Sequence, residues 1–168
     1  MRNGLQKLID NKLYDEERLM AQIKTWKTWK EKVVFTNGVF DLLHIGHITY
    51  LAQSAELGTK LVIGLNADSS VKRLKGDSRP VNNQDSRALL LASLFFVDAV
   101  IIFDEDTPQA LISNLLPDVL VKGADYNIES IVGADEVITN GGVVKTIDFV
   151  TGYSSTSIIQ KIRSPLEN

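Results

Sequence analysis

The chain has 168 residues, a formal net charge of −3 and no cysteine. This length is typical of one ordinary domain with a sizeable core. The slight acidic excess argues against a wholesale basic surface for nucleic acid. The absence of cysteine excludes disulfides, thiol catalysis and Cys-ligated metal centres. No apolar run approaches the roughly 20 residues that span a bilayer, and the N-terminus has no secretory apolar segment. We therefore expect a cytoplasmic protein that binds neither membranes nor nucleic acid.

Residues 1–32 differ in pattern from the rest of the chain. Asp15 is placed to cap a helix that continues to Trp29. Apolar side chains recur along this helix at helical spacing, namely Leu19, Ile23 and Trp26. The pattern predicts a helical extension over residues 1–32, followed by one domain over residues 33–168. The apolar face of the helix fits either that domain or a second subunit.

Short apolar runs alternate with helical patterns from residue 33 onward. The predicted strands are Val33–Thr36, Leu61–Leu65, Ala99–Phe103, Val119–Val121 and Val143–Phe149. Helical patterns lie at about 46–57, 85–96, 107–115, 131–140 and 155–163. Gly58 is placed for a helix C-terminus and Pro108 for a first helical turn. The alternation predicts an α/β fold, a Rossmann-like three-layer sandwich around a five-stranded parallel sheet.

The stretch from Asn66 to Asn83 shows no strong pattern and is predicted to be a loop. It follows the second predicted strand, so it emerges at the carboxyl end of the sheet, where α/β proteins bind ligands. The loop carries four cations, namely Lys72, Arg73, Lys75 and Arg79. Alone, such a loop is usually a solvated surface.

Both histidines of the chain, His44 and His47, follow the first strand directly and flank Gly46. Side chains at positions i and i+3 at the start of a helix point to one side. The glycine leaves room for a ligand, and free N–H groups at a helix start favour an anion. Imidazoles there can donate hydrogen bonds to a phosphate. A zinc pair is the alternative, although no cysteine or third histidine is present to complete it.

The segment from Thr36 to His47 resembles the nucleotidylyltransferase superfamily, whose His-x-Gly-His signature binds nucleoside triphosphates. Gly152-Tyr153-Ser154-Ser155-Thr156-Ser157-Ile158 resembles the Gly-x-Ser-Thr-Thr-x-Ile motif of the same superfamily. Class I aminoacyl-tRNA synthetases share the letters His-Ile-Gly-His, but the chain lacks their Lys-Met-Ser-Lys-Ser-like loop. The resemblance implies that His44 and His47 stabilise the triphosphate and the transition state. It also implies that Lys72 and Lys75 close on the phosphates.

Further segments resemble the adenylyltransferase half of the bifunctional heptose kinase/adenylyltransferases. They are 73–82, 105–109, 121–126, 132–137 and 140–142, and the resemblance covers about residues 33–163. It implies transfer of AMP from ATP to D-glycero-β-D-manno-heptose 1-phosphate, with Mg²⁺ as cofactor. Glycerol-3-phosphate cytidylyltransferases are a second possibility, but residues 148–151 lack the Arg that they carry before the hydroxyl motif. A non-catalytic nucleotide-binding regulatory module is a third.

The resemblance also implies roles for individual residues. Those expected around the nucleotide are Thr36, Asn37, Gly38, Phe40, Gly46, Gly123, Asp125, Tyr126, Ser154, Ser155 and Thr156. Asp41 is expected to contact sugar hydroxyls or a metal, and Arg87 the acceptor substrate. We further expect a homo-oligomer and a separate heptose kinase as a partner.

Overall fold

The computed structural model describes residues 4–124, 130–148 and 150–164. In chain order the helices and strands are α1 (Leu5–Asp10), β1 (Leu13–Tyr14), α2 (Glu16–Thr28), β2 (Val33–Gly38), α3 (Ile45–Ala55), β3 (Lys60–Asn66), α4 (Asp68–Lys75), α5 (Gln84–Ala92), β4 (Ala99–Phe103), α6 (Gln109–Leu115), β5 (Val119–Gly123), α7 (Ala134–Thr139), β6 (Val143–Ile147) and α8 (Ser155–Arg163). None of the helices in these ranges is long and apolar enough to cross a membrane.

All six strands belong to one parallel sheet with the order β1-β4-β3-β2-β5-β6. The predicted parallel α/β sandwich is confirmed, with six strands in place of five. The additional strand, β1, pairs through Leu13 and Tyr14 with Val100 and Ile101 at the edge of the sheet. A strand of two residues is too short to show the apolar alternation that identifies a strand in a sequence.

Helices cover both faces of the sheet, which gives the domain two apolar cores. Strand β2 shows why, because alternate side chains point to opposite faces. Val33 and Phe35 belong to the core under α2, α6 and α7, whereas Val34 belongs to the core under α3 and α5. The near-continuous apolar runs of the central strands follow from this double burial.

The segment before residue 33 completes the first core. The Asp15 carboxylate accepts a hydrogen bond from the Arg18 backbone N–H at 2.8 Å and caps α2, as the sequence predicts. Three side chains of α2 are buried against the sheet, namely Leu19, Ile23 and Trp26. The apolar face of this helix therefore packs on the domain, and the segment also supplies the edge strand β1.

Helix α4 occupies half of the stretch that the sequence predicts to be a loop. Only Ser70 and Val71 are buried on this helix, so it lacks an apolar stripe that a pattern search could find. Polar contacts hold it against the segment after β4. The Arg73 Nε donates to Asp106 Oδ1 at 2.7 Å, and the Ser70 hydroxyl donates to the Glu105 carbonyl at 3.3 Å. The loop prediction was wrong for Asp68–Lys75 because these contacts come from a distant part of the chain.

Gly58 has a steric role different from the helix-ending role that the sequence predicts. Helix α3 ends at Ala55, and the cap residue Glu56 has ordinary right-handed geometry. A Cβ at Gly58 would lie 2.5 Å from the Lys32 carbonyl oxygen and 2.6 Å from the side chain of Val34. The glycine is therefore required for close approach of two chain segments.

Candidate active site

The strand order creates a crevice at the carboxyl ends of the central strands. From β2 the chain builds outward to β3 and β4, then returns to place β5 on the opposite side of β2. Ligands of open α/β sheets bind at such a reversal. A cavity of about 590 Å³ lies there, and the strand ends that line it include Asn37, Gly38, Asn66, Lys122 and Gly123.

The two histidines stand at the start of α3, beside this cavity. His44 is the residue before the first helical turn and makes no side-chain capping bond. The rings of His44 and His47 are stacked with centroids 3.8 Å apart and planes 22° apart. His47 lines the cavity. The expected pairing on one side of the helix start is therefore present.

The environment disfavours the charged form of both imidazoles. Burial lowers the pKa of His44. Burial, chiefly, and the neighbouring charges of His44 and Lys75 lower the pKa of His47 to about 4, against a hydrogen bond to the Leu42 backbone that raises it. The Nδ1 atoms of both rings are buried without a hydrogen-bond partner in the described part of the chain. An anion bound beside the rings would favour their charged forms.

Small residues around the histidines accommodate aromatic rings. Phe40 has a positive φ of 45°, and its ring meets that of His47 edge-on at 5.3 Å between centroids. A Cβ at Gly38 would lie 3.0 Å from the Phe40 ring, and one at Gly46 would lie 3.1 Å from the His44 ring. The sequence predicts that Gly46 leaves space for a ligand, and in the structure the side chains nearest to this position are those of His44 and Tyr153.

Strand β2 divides its polar residues between the cavity and the core. Thr36 is fully buried, and its hydroxyl is 2.7 Å from the Tyr50 hydroxyl, so it lies beneath the site. Asn37 lines the cavity, and its side-chain oxygen accepts a hydrogen bond from the Lys122 ammonium. Lys122 lies in the segment 121–126, which carries part of the family resemblance, but no role was predicted for this lysine.

Asp41 lines the cavity with a carboxylate that accepts three hydrogen bonds from the protein. Its Oδ2 accepts from Arg79 Nε at 2.6 Å, and its Oδ1 accepts from the backbone N–H groups of Val81 at 2.7 Å and Asn82 at 3.0 Å. Burial alone would raise the pKa of this carboxyl, but the three hydrogen bonds and the Arg79 charge lower it. In this structure the Asp41 carboxylate contacts residues 79–82, and its expected contact with a sugar or a metal stays a prediction.

Arg87 is fully buried, although the sequence places it on the acceptor side. Its guanidinium donates to the Asn82 carbonyl at 3.0 Å, the Val39 carbonyl at 2.7 Å and the Asp68 carboxylate at 2.7 Å. These acceptors belong to three segments around the cavity, one of them the start of α4. In this structure Arg87 therefore positions those segments rather than facing solvent.

The two lysines expected to close on phosphates differ in position. Lys75 ends α4 at the cavity wall, where desolvation and then the charge of Arg79 lower its pKa against the influence of Asp41. Lys72 lies one turn earlier, has an exposed side chain and is not among the lining residues. The structure brings Lys75, but not Lys72, to the histidines.

The hydroxyl segment has one member in the cavity wall. Ser154 caps α8, because its side chain accepts from the Ser157 backbone N–H at 3.0 Å. The Ser155 hydroxyl lines the cavity and donates to the Leu42 carbonyl at 3.0 Å. Thr156 is exposed in the first turn. Through Leu42, Ser155 is fixed beside His47.

Of the remaining predicted residues, only Gly123 is described by the structure. Gly123 ends β5 and lines the cavity, whereas Asp125 and Tyr126 lie outside the described residues. Arg79 and residues 130–132 also line the cavity, and no individual role was predicted for them. Arg79 was quoted as one of four cations, and its position in a basic segment was the available signal.

The buried polar side-chain atoms that lack a partner in the described ranges all lie at this site. Three buried side-chain nitrogen atoms there have no hydrogen-bond partner, namely His44 Nδ1, His47 Nδ1 and Arg79 Nη2. No group of three or more His, Asp or Glu side chains suited to a metal ion occurs within the same ranges. The described part of the site therefore has donors suited to an anion.

The fold and this anion site define a nucleotide-binding α/β domain, and comparison with known proteins identifies its family. Residues 35–161 match the family model described as Cytidylyltransferase-like, and the chain belongs to this family. A lipopolysaccharide core biosynthesis protein from Thermoplasma volcanium has a similar structure, with a TM-score of 0.57 and 31% identity over 74% of this chain and 99% of that chain.

Curated relatives narrow the similarity to one branch of the family. The chain is 54% identical to the bifunctional protein HldE of Haemophilus ducreyi over 149 residues, which are 89% of this chain and 31% of that protein. It is 60% identical to HldE of Campylobacter concisus over 134 residues, which are 80% of this chain and 28% of that protein. The chain thus spans less than a third of the length of these two relatives.

Proposed function

We propose that the chain transfers AMP from ATP to D-glycero-β-D-manno-heptose 1-phosphate, giving ADP-heptose and pyrophosphate. The observation that carries the chemistry is the stacked pair of His44 and His47 at the uncapped start of α3, beside a cavity with unpartnered donors. The similarity to the bifunctional HldE proteins supports the choice of adenylyl transfer and of a heptose phosphate. It does so for the matched segment of those proteins.

The reaction is an in-line displacement at the α-phosphorus of ATP. A phosphate oxygen of the acceptor forms the new P–O bond, while the bond from the α-phosphorus to the bridging oxygen breaks and pyrophosphate leaves with its electron pair. A phosphate monoester is nucleophilic at neutral pH without losing a proton. Catalysis therefore depends on positioning and on stabilisation of negative charge, and no general base is required.

His47, Lys75 and Ser155 are the groups placed to stabilise that charge. The neutral imidazole of His47 offers one N–H donor, and an approaching phosphate raises its pKa by favouring the charged form. Lys75 brings a cation to the same wall, and Ser155 offers a hydroxyl at the start of α8. His44 supports His47 through ring stacking and offers its own unpartnered Nδ1.

Nucleotide selection belongs to the strand ends. Asn37 and Gly38 of β2 and Gly123 of β5 border the cavity across the crevice. Thr36 supports this wall from below through Tyr50. Arg87 holds the start of α4 and the segments at Val39 and Asn82 in register, so that Lys75 is carried to the phosphates.

The nucleotide is expected to bind as its Mg²⁺ complex. The described residues offer no group of three metal-ligating side chains, and the carboxylate of Asp41 already accepts three hydrogen bonds from the protein. Phosphate oxygens and water are ordinary ligands of Mg²⁺ in nucleotide sites, and the cation would supply charge neutralisation there. We also propose a cytoplasmic location and a homo-oligomer. A separate or linked heptose kinase would supply the acceptor, and the similarity to a bifunctional relative supports this part of the proposal.

Pyrophosphate release with paired substrates tests the proposal. The protein is incubated with Mg²⁺ and either ATP or CTP, each combined with heptose 1-phosphate or glycerol 3-phosphate. Release only with ATP and the heptose phosphate supports the proposed reaction. Release with CTP and glycerol 3-phosphate would retain the mechanism and replace the substrates. A folded protein inactive with every pair would favour a regulatory nucleotide-binding module.

A further inference from the structure

One cation of the site has a fixed position and unused donors. Arg79 has only 11% of its side chain exposed, and its Nε is bound to Asp41, whose side chain is 1% exposed. The Nη2 atom of Arg79 is buried without a partner, and no hydrogen bond within the described residues uses its Nη1. A guanidinium carries five N–H donors, so four of those of Arg79 have no partner among the described residues.

Asp41 fixes the orientation of this guanidinium rather than cancelling its function. Its carboxylate also accepts two backbone N–H groups, from Val81 and Asn82, and its backbone carbonyl accepts from the Asn82 side chain at 3.0 Å. The segment that carries Arg79 is therefore tied to the β2–α3 connection at four points. Arg79 reaches the cavity already oriented, which reduces the ordering that ligand binding requires.

The local charge, counted over Arg79, Lys75 and Asp41, is net positive and favours an anion. Arg79 and Lys75 both line the cavity, and they are close enough for the charge of Arg79 to lower the pKa of Lys75. Asp41 supplies one negative charge against these two positive charges. The other lining carboxylate, Asp106, accepts a hydrogen bond from Arg73. A phosphate monoester carries nearly two negative charges and acceptor oxygens that fit an arginine fork.

The position of Arg79 separates it from the wall assigned to the nucleotide. Lys75 and Arg79 follow β3, on one side of β2, whereas Lys122 and Gly123 end β5 on the other side. His47 follows β2 in the chain and begins α3 between these two walls. An acceptor held on the β3 side and a nucleotide on the β5 side would meet at the histidine.

We infer that Arg79, oriented by Asp41 and assisted by Lys75, binds the phosphate group of the acceptor substrate. This inference rests on the proposed function, because it assigns one substrate of that reaction to one wall of the cavity. The phosphate is held by donors of fixed direction, which aligns its oxygen with the α-phosphorus. The phosphates of the nucleotide have the same chemistry and are the competing source of this ligand.

Steady-state kinetics of Arg79→Gln distinguish the two sources. The KM for heptose 1-phosphate should rise about tenfold or more, which corresponds to loss of a charge-assisted hydrogen bond. The KM for ATP should stay within about twofold, because uniform loss of one substrate contact leaves the other unaffected. Arg79→Lys keeps the charge without the fork and should give an intermediate KM for the acceptor. Lys24→Gln removes an exposed charge on α2 and should change neither constant.

Other outcomes would overturn the assignment. If the KM for ATP rises and the KM for the acceptor is unchanged, Arg79 binds the nucleotide. If both KM values are unchanged, Arg79 binds neither substrate. Thermal melting of each variant verifies folding, and Arg79→Lys serves if the glutamine variant does not fold.

Calorimetry with sodium phosphate separates failure of the inference from failure of the proposed function. If the wild type is inactive with heptose 1-phosphate, the proposed reaction is wrong. Phosphate binding that is present in the wild type and lost in Arg79→Gln would still support the subsite. Equal binding by the two proteins, or binding by neither, would refute the subsite.

Discussion

Replacement of Arg87 by methionine tests the structural account most severely outside the reacting groups. The change keeps most of the aliphatic volume and removes a fully buried guanidinium with three hydrogen bonds. Loss of one partner from a buried ion pair costs about 3–5 kcal/mol. The partner here, Asp68, keeps 31% of its side chain exposed and can be partly rehydrated. We therefore expect the free energy of unfolding to fall by about 3 kcal/mol, the lower end of that range.

Urea unfolding followed by far-UV circular dichroism measures this loss, with the m value as a check on two-state behaviour. Arg87→Lys keeps the charge but cannot reach three acceptors in different directions, so it should recover only part of the stability. Arg73→Met is the matched control, because this more exposed arginine also bonds two aspartates, and it should lower the free energy of unfolding by less than about 1 kcal/mol. A loss below about 1 kcal/mol in Arg87→Met would refute the positioning role.

Three more measurements test other parts of the account. His47→Ala should lower kcat about 100-fold, the scale for losing a transition-state donor, and wild-type turnover would contradict its assignment. Because the folded pKa of His47 is about 4, below the unfolded value near 6.5, the unfolded chain binds more protons between these values. Urea stability should therefore fall from pH 7.5 to 5.5, less steeply in His47→Gln; equal slopes would contradict the pKa. Gly58→Ala should lower Tm, since its Cβ would strike the Lys32 carbonyl, and an unchanged Tm would show that the segments can separate.

The central part of the fold was readable because burial on two faces leaves long apolar runs. Strands β2 to β5 have such runs, and the flanking helices have apolar residues at helical spacing. The predicted bounds of these elements agree with the structure to within a few residues. Strand β1 has two residues, and α4 buries only Ser70 and Val71, so neither element leaves a pattern. Their positions depend on partners elsewhere in the sheet and in the 104–106 segment.

The histidine pair of the site could be predicted because its members are only three positions apart in the chain, at the start of a helix. The partners of Asp41 were not, since its carboxylate bonds residues 38 to 41 positions away. Arg87 likewise bonds Val39, 48 positions earlier. A charged side chain in a site motif looks the same in a sequence whether it faces substrate or other segments. Only the three-dimensional arrangement separates these two roles.

Adenylyl transfer itself is the most direct test of the account. The protein is given Mg²⁺, ATP labelled with ³²P at the α-phosphate, and D-glycero-β-D-manno-heptose 1-phosphate. The products are then separated by anion-exchange chromatography. The account predicts that the label moves into a sugar nucleotide in equal amount to the pyrophosphate released, and that His47→Ala slows both equally. Label that stays in ATP, or that appears as free AMP, would contradict it.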